Sequence, residues 1–211
     1  MKSGWKQDPE RVKRDILTAA MAEFAKSGLE GAKIDDISAR TDTSKRMIYY
    51  YFTDKEGLYV RALEAAYAKV RALEEKLDLA DLSPVEALEK LVAFTFDHHR
   101  KNADFIRMVM IENVHHARYL RASDVVRDVN REAITRLEAL IARGQASGVF
   151  RDDIDATELH WQISALSVFN VSNKATFSAL FGKTIYSKDG QARLRDRAVA
   201  MVLGDVLKTP R

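Results

Sequence analysis

The most constraining feature of the chain is its nearly unbroken helical periodicity. Only three prolines and nine glycines occur among 211 residues, and they are expected to lie between the periodic stretches. Those stretches are dominated by Ala, Leu, Glu, Lys and Arg, which favour helices, and their apolar members recur at helical spacing. Alternating strand patterns of useful length, internal repeats and low-complexity tracts are absent from the sequence. The sequence therefore predicts an all-α protein.

Boundary signals divide this pattern into about nine helices. Thr53 and Ser83 each begin a sequence typical of a capping box, and Ser83 is followed by proline, which suits the first helical position. The helices before residue 54 are short and most of those after it are long. This change predicts a small domain over 1–53 and a larger helical bundle over 54–211. The predicted helices span about 9–26, 34–41, 45–51, 53–77, a stretch from 83, 103–114, 123–146, 156–173 and 191–207.

Composition and charge narrow the possible functions. The chain has no cysteine, which excludes disulfides, thiolate metal sites and a cysteine nucleophile and fits a reducing compartment. A net charge of +3 permits nucleic-acid binding without requiring it. The first fifteen residues contain no apolar signal-like segment, and no apolar run approaches the ~18 residues needed to cross a bilayer. We therefore expect a soluble cytoplasmic protein with no membrane partner.

Residues 34–52, IDDISARTDTSKRMIYYYF, have the layout of a helix-turn-helix. Ile37 and Ile48 are predicted to pack the two short helices together, and Phe52 is predicted to turn into the core. Asp42 is expected to adopt the left-handed conformation in the turn, since aspartate tolerates it better than most residues. The alternative, that the four adjacent aromatics only form a bundle core, leaves the basic pair before them unexplained.

The second of these helices carries a face suited to the major groove of DNA. Lys45, Arg46 and Tyr49 share that face at spacings of three to four residues. Lysine and arginine donate to guanine O6 and N7, and a tyrosine ring can lie on a thymine methyl group. Lys55 follows in the first turn of the next helix, where backbone N–H groups favour an anion. Three side chains are predicted to contact phosphates on the flanks: Tyr50, Tyr51 and Lys55.

The stretch GLEGAKIDDISARTDTSKRMIYYYFTDKEGLYVRAL resembles the N-terminal DNA-binding domain of the tetracycline-repressor (TetR) family over residues 10–63. The resemblance rests on FAKSGLEG, DDIS, the SK pair, IYYYF and DKEGL. It implies a homodimer that binds a double-stranded operator and whose C-terminal domain binds a small-molecule effector. Asp42 replaces the usual glycine, and Arg46 and Met47 also depart from the pattern, so no operator sequence is transferred. The DNA-binding set so predicted is Lys33, Thr43, Ser44, Lys45, Arg46, Tyr49, Tyr50, Tyr51 and Lys55.

Residues 156–173 are apolar on more than one face, so they must be buried on several sides. With 191–207 they are predicted to form a four-helix dimer interface with a second copy, the alternative being a purely intramolecular core. For an effector pocket we sought polar residues set among apolar ones. The candidates are Phe94, His99, Phe105, Met108, Glu112, Asn113, His116, Trp161, Phe169 and Asn170.

Catalytic and metal functions lack sequence support. Neither adjacent histidine pair can chelate alone, because neighbouring helical residues point about 100° apart. Metal motifs, phosphate-binding loops and nucleophile arrangements are absent from the sequence. We therefore expect a ligand-responsive DNA-binding repressor that is not an enzyme and has no metal or cofactor. Two other readings stay open, a helical protein–protein adaptor and an enzyme built on a helical bundle.

Overall fold

The computed structural model describes residues 8–209, and this part of the chain is all-helical, as predicted. It contains ten α-helices and two short 3-10 turns, and no strand forms between residues 8 and 209. No helix in that range is long and apolar enough to cross a membrane. The expectation that the first fifteen residues contain no signal-like segment falls partly on residues 1–7, which lie outside the described range. The helices are α1 (Pro9–Gly31), α2 (Ile34–Ser38), α3 (Lys45–Phe52), α4 (Lys55–Glu75), α5 (Pro84–Lys101), α6 (Ala103–Val114), α7 (Asp124–Ala146), α8 (Ala156–Ser172), α9 (Lys174–Phe181) and α10 (Lys188–Val206).

The chain forms two compact units. The first comprises Met1–Ala68 and Arg107–Val126, and the second comprises Lys69–Ile106 and Arg127–Arg211. Helices α4, α6 and α7 each contribute residues to both units. The boundary predicted near residue 54 falls within the first unit, and as a functional division of the chain it stays a prediction.

The core of the first unit confirms the predicted packing of the helix-turn-helix. Ile37 and Ile48 are fully buried in one cluster, and Phe52 joins them with 6% of its surface exposed. Phe24 of α1 meets Tyr59 of α4 edge to face, with ring centroids 5.1 Å apart. These contacts hold α2 and α3 against two longer helices, so α3 has a rigid support.

Two local predictions in this unit are wrong. Asp42 is not among the described residues with positive φ. The chain leaves α2 through successive tight turns instead. The loop is held together by Ser38 Oγ, which donates to the Thr43 carbonyl at 2.8 Å. Thr53 does not cap α4. It adopts φ 67°, and the carboxylate of Asp54 instead accepts from the Gly57 backbone N–H at 2.7 Å. The aspartate next in sequence supplies an acceptor at the position the turn leaves for the cap.

In the second unit, α5, α8 and α10 pack together around one apolar core. The capping box at Ser83 is confirmed, since its hydroxyl and the Glu86 carboxylate exchange bonds with backbone N–H groups. The sequence missed α9 and placed the start of the last helix three residues late, because Ser187 caps α10. Ten helices therefore replace the predicted nine in the described range.

Several glycines lie within helices, which contradicts the expectation that they would separate them. Gly144 in α7 shows why one is needed there. A Cβ atom at this position would overlap the ring of Phe150, which is almost fully buried against the turn after α7. The glycine therefore permits a close approach between a helix and an aromatic ring, at the usual loss of helix propensity.

Candidate nucleic-acid interface and effector site

Helix α3 has one buried face and one exposed face. Ser44 caps it, accepting from the Met47 backbone N–H at 3.4 Å. Ile48 and Phe52, four residues apart, point into the core, so the remaining side chains project outward. The exposed residues of α3 include the predicted groove contacts Lys45, Arg46 and Tyr49 and the predicted phosphate contact Tyr50, and Tyr50 is 76% exposed and Tyr49 39%.

The basic residues of this face differ in how firmly they are held. The Lys45 ammonium lies 3.1 Å from the carboxylate of Asp35, and both side chains are largely exposed. A surface pair of this kind is weak, so a phosphate or a base edge can take the place of Asp35. Arg46 is exposed at the adjacent position, and Lys33 is exposed just before α2. Together they give the face its cationic character.

Tyr51 is less available than Tyr50. Its ring is half-buried, packs against the core cluster of the first unit and has the Lys13 ammonium 5.6 Å from its centroid. Thr43 is also half-buried, and its carbonyl accepts from Ser38. The phosphate contact predicted for Tyr51 and the DNA contact predicted for Thr43 stay predictions, and the structure also gives Tyr51 a packing role and the Thr43 carbonyl a hydrogen bond.

Lys55 is held in place by backbone carbonyl groups. Its Nζ donates to the carbonyls of Glu30 at 3.2 Å and Ala32 at 3.4 Å. The first turn of α4 is already capped by the carboxylate of Asp54, so that helix end is less open to a phosphate than the sequence suggested. The ammonium can still direct its third N–H group to a phosphate.

A buried carboxylate, missed by the sequence analysis, fixes the helix-turn-helix to α1. Glu23 is 2% exposed and accepts from Arg40 Nη2 and from Ser27 Oγ, each at 2.9 Å. Arg40 lies in the turn between α2 and α3. The two partners are 17 residues apart in sequence, and no local pattern signals their pairing.

Comparisons with known proteins identify this architecture. The family model described as "Bacterial regulatory proteins, tetR family" matches residues 16–62, and the model described as "Tetracyclin repressor-like, C-terminal domain" matches residues 84–202. The chain belongs to the TetR family. It is accordingly a DNA-binding transcriptional regulator, and the resemblance noted in the sequence is confirmed.

Relatives of this TetR-family chain support the assignment over most of its length. It is 37% identical to the HTH-type transcriptional repressor NicS of Pseudomonas putida over 186 residues, 88% of each chain. It is 30% identical to the HTH-type transcriptional repressor SCO4008 of Streptomyces coelicolor, covering 76% of this chain and 79% of the relative. A transcriptional regulator from Saccharomonospora viridis, solved in complex with choline, shares the fold with a TM-score of 0.71 and 20% identity, covering 95% of this chain and all of that one.

The predicted effector residues divide between the two units of this TetR-family protein. Of those in the first unit, Glu112 and Met108 are buried. The buried carboxylate of Glu112 accepts from Tyr59 Oη at 3.0 Å and from the backbone N–H groups of Tyr119 and Leu120. The burial of the Tyr59 hydroxyl is the main cause that raises the pKa of Tyr59, and the negative charge of Glu112 is the next. Met108 is fully buried in the core, whereas Asn113 and His116 are exposed.

In the second unit, His99 is the best placed of the predicted residues. It is 7% exposed, and its Nδ1 lies 2.8 Å from Ser167 Oγ. The same hydroxyl lies 3.0 Å from the Ile163 carbonyl, so it bridges the His99 ring and the backbone of α8. Burial, chiefly, lowers the pKa of His99 to about 3, so the ring is neutral at pH 7.

The remaining candidates in the second unit are spread over interior and surface. Phe105 is buried, with its ring centroid 6.0 Å from that of His99, and Phe94 is half-buried beside His98. Asn170 is buried but exchanges two hydrogen bonds with Gln191. Trp161 and Phe169 are 70% and 53% exposed, so in the single subunit they face outward rather than into an interior pocket.

A small cavity of about 70 Å³ in the second unit presents polar groups that the sequence did not single out. Arg71 lines it and is held by Glu74 at 2.7 Å and by Asn130 at 2.6 Å, while its buried Nε has no partner. Thr95 and His160 also line it, and burial lowers the pKa of His160 to about 4. The rest of the wall consists of leucine, isoleucine and alanine side chains together with the charged side chains of Glu74 and Arg136.

Proposed function

We propose that this TetR-family regulator represses transcription as a homodimer bound to a pseudo-palindromic operator. The observation that carries the proposal is the outward face of α3, which exposes Lys45, Arg46, Tyr49 and Tyr50 on a helix fixed from behind by two buried side chains. One such helix per subunit contacts few base pairs, so selectivity requires two related by a two-fold axis. The half-site centres should then lie about one helical turn, ~34 Å, or a multiple apart.

Repression rather than activation is supported by two relatives. NicS and SCO4008 both carry the name of transcriptional repressors, and the former is 37% identical over 88% of this chain. A repressor of this kind acts in the compartment that holds DNA, so the cytoplasm is its expected location. The adaptor and enzyme readings have no comparable support among these relatives.

The contacts with DNA divide into two chemical classes. Lys45, Arg46 and Tyr49 are proposed to meet base edges, because they are exposed on the groove-facing side of α3. Tyr50 and Lys55 are proposed to contact phosphates, since one projects at the flank and the other holds a charge at a fixed position. Phosphate contacts position the protein and base contacts select the sequence.

The effector is proposed to bind in the second unit and to release the operator. The cavity beside Arg71, Thr95 and His160 is smaller than ordinary ligand pockets, so an effector whose polar end accepts from the unpaired Arg71 Nε has to widen it on binding. Arg71 lies on α4, whose earlier residues belong to the unit that carries α3. A ligand that favours the non-binding conformation by 1–3 kcal/mol changes operator affinity about 5–150-fold.

A gel-shift experiment with the DNA flanking the protein's own gene tests the first part. Specific retardation, abolished by unlabelled competitor of the same sequence and reduced in Tyr49→Ala, is expected. Val114→Ser, an exposed apolar residue that lies on α6 rather than α3, serves as the matched control and should leave retardation unchanged. No specific retardation by folded protein with any flanking fragment contradicts the proposal.

Calorimetry tests the effector. A true inducer must bind more weakly to the protein–operator complex than to the protein alone, by the same factor by which it weakens operator binding. Equal affinities in the two states would show that the compound is a passenger. The variants Thr95→Val and His160→Phe should weaken the binding of an inducer while leaving operator affinity unchanged in its absence.

A further inference from the structure

The guanidinium group of Arg71 is buried and only partly satisfied. Its Nη1 donates to both carboxylate oxygens of Glu74 at 2.7 Å, and its Nη2 donates to Asn130 Oδ1 at 2.6 Å. Its Nε is buried and has no hydrogen-bond partner among the described residues. A buried N–H group without an acceptor is destabilising, and Arg71 lines the cavity of the second unit. A molecule bound in that cavity can therefore supply the missing acceptor.

His98 of α5 is a second buried polar group without partners. It is 6% exposed, and neither of its ring nitrogens has a hydrogen-bond partner within residues 8–209. Thr95 and Leu91, which line the cavity, lie one and two helical turns before it, so the three side chains form one stripe along α5. His98 continues the cavity wall by one turn. The N–H group of its neutral ring can donate to a molecule that extends along this stripe.

The charges around these two groups favour an anion. Among the charged side chains that line the cavity, Arg71 and Arg136 are positive and Glu74 is negative, which leaves the wall with a net charge of +1. Burial is the main cause that lowers the pKa of His98, followed by the positive charges of neighbouring lysine and arginine side chains. A bound cation would meet the same repulsion, whereas a bound anion would be attracted.

We propose that the ligand of this site is a small organic carboxylate, whose anionic end accepts hydrogen bonds from Arg71 Nε and from the His98 ring. The proposal rests on the effector site of the proposed function and adds the chemical class of the ligand. Arginine has N–H donors and no acceptor, and a neutral histidine ring has one N–H donor. A carboxylate offers an oxygen to each donor, and such charge-assisted hydrogen bonds are roughly twice as strong as neutral ones.

The rest of the cavity limits what the carboxylate can be attached to. Leu137, Leu140 and Ile163 form an apolar part of the wall, so the remainder of the ligand should be apolar. The cavity of about 70 Å³ is small, which favours a short alkyl chain or a single ring. A phosphate or sulfate ester fits less well, because its additional acceptor oxygens would be left unpaired against these apolar side chains.

Titration calorimetry at fixed ionic strength, with no DNA present, tests the chemical class of the ligand. The probes are two pairs, hexanoate with hexanamide and benzoate with benzamide, whose members have nearly the same shape and differ in charge. At least one carboxylate should bind the unaltered protein about tenfold or more tightly than its own amide. Equal affinities within both pairs, or no binding of either carboxylate, would overturn the inference.

Two variants locate the bound carboxylate. Arg71→Lys keeps a positive charge beside Glu74 but removes Nε, and His98→Phe keeps an aromatic ring beside Phe94 but removes the ring N–H group. Each should lower the affinity for the carboxylate about fivefold or more. Arg131→Gln removes a positive charge from a 69% exposed side chain of the same unit and is the matched control, with an unchanged affinity.

Circular dichroism checks that each variant is folded. His98→Phe replaces a buried polar ring with an apolar one and should fold even if Arg71→Lys does not, so that variant alone can decide the outcome. Unchanged carboxylate affinity in either folded variant would overturn the inference, since the anion would then bind elsewhere.

These outcomes are separate from the release of DNA. A carboxylate that binds through Arg71 and His98 but leaves gel-shift retardation unchanged would keep the ligand class of this site and refute its role as the effector site. A neutral or cationic compound that binds at this site and releases the operator would keep the proposed function and overturn the inference.

Discussion

Replacing Arg40 with alanine should destabilise the helix-turn-helix through the carboxylate that it leaves behind. Glu23 is 2% exposed, and the loss of Arg40 Nη2 leaves one of its oxygens without a cationic partner, while Ser27 still donates to the other. Breaking a fully buried ion pair costs about 3–5 kcal/mol. The Arg40 side chain is 43% exposed, so water partly replaces it, and we expect a loss of about 2 kcal/mol.

Helix α1, which carries Glu23, supplies an internal control for this variant. Arg11 and Asp15 form an ion pair at 3.8 Å, with side chains 72% and 60% exposed. Because exposed pairs contribute little, Arg11→Ala should change the free energy of unfolding by no more than about 0.5 kcal/mol. The Glu23→Gln variant keeps hydrogen-bonding groups at its site and should lose less stability than Arg40→Ala.

Urea denaturation measures these differences, followed by circular dichroism at one fixed subunit concentration, since dimerisation couples stability to concentration. A double-mutant cycle between Glu23→Gln and Arg40→Ala then isolates the coupling between the two side chains. If Arg40→Ala proved no more destabilising than Arg11→Ala, Glu23 would have to be satisfied without its ion pair, and the argument from burial would be refuted.

Three further predictions concern DNA binding and pH. Tyr49→Ala should weaken specific operator binding by about 1–3 kcal/mol without unfolding the protein, and unchanged affinity would remove the tyrosine from base contact. Lys55→Ala should weaken operator and random DNA about equally and lower the log–log salt slope by about 1 per subunit, whereas a changed sequence preference would move Lys55 to base readout. Acidification should destabilise the fold, because His98, His99 and His160 all have lowered pKa values and are neutral when folded. Their stabilisation is complete above the unfolded pKa of about 6.5 and falls by up to about 1.4 kcal/mol per pH unit for each ring, down to about pH 4 for His160 and about pH 3 for His99. Thermal unfolding from pH 7.5 to 4.5 checks this, and a His160→Phe variant with an equally steep profile would contradict the assignment for that ring.

The features that the sequence predicted are those with a local signature. The packing of Ile37 against Ile48 follows from helical spacing, and the capping box at Ser83 follows from residues three apart. The cap on α4 was misplaced by one residue because Thr53 and Asp54 are both good capping residues, and only the backbone turn at Thr53 decides between them. Propensity and spacing describe neighbours along the chain, so helix packing and caps that depend on neighbouring residues can be predicted from the sequence.

The predicted effector site stays a prediction, and the sequence pattern behind it carries less information. Its residues were chosen as polar groups on apolar helices, and that pattern cannot tell which partner satisfies each group. Glu112 is satisfied by Tyr59, 53 residues away, and Trp161 faces outward from α8. Arg71, which lines the cavity of the second unit, was not among the candidates because an arginine on a helix is usually on the surface, whereas here it is 9% exposed. Tertiary contacts decide all three cases.

The carbonyl groups that hold Lys55 have a consequence for how the protein searches DNA. A lysine ordered only on binding loses up to about 2 kcal/mol of side-chain conformational entropy, but the Lys55 ammonium is already positioned by Glu30 and Ala32. Its charge is therefore available at a fixed place on every encounter, whatever the sequence. Arg46, proposed above to contact base edges, is exposed. We expect operator preference in related regulators to change through exposed residues at the position of Arg46. The register of the protein on the phosphate backbone should be retained by anchored residues at the position of Lys55.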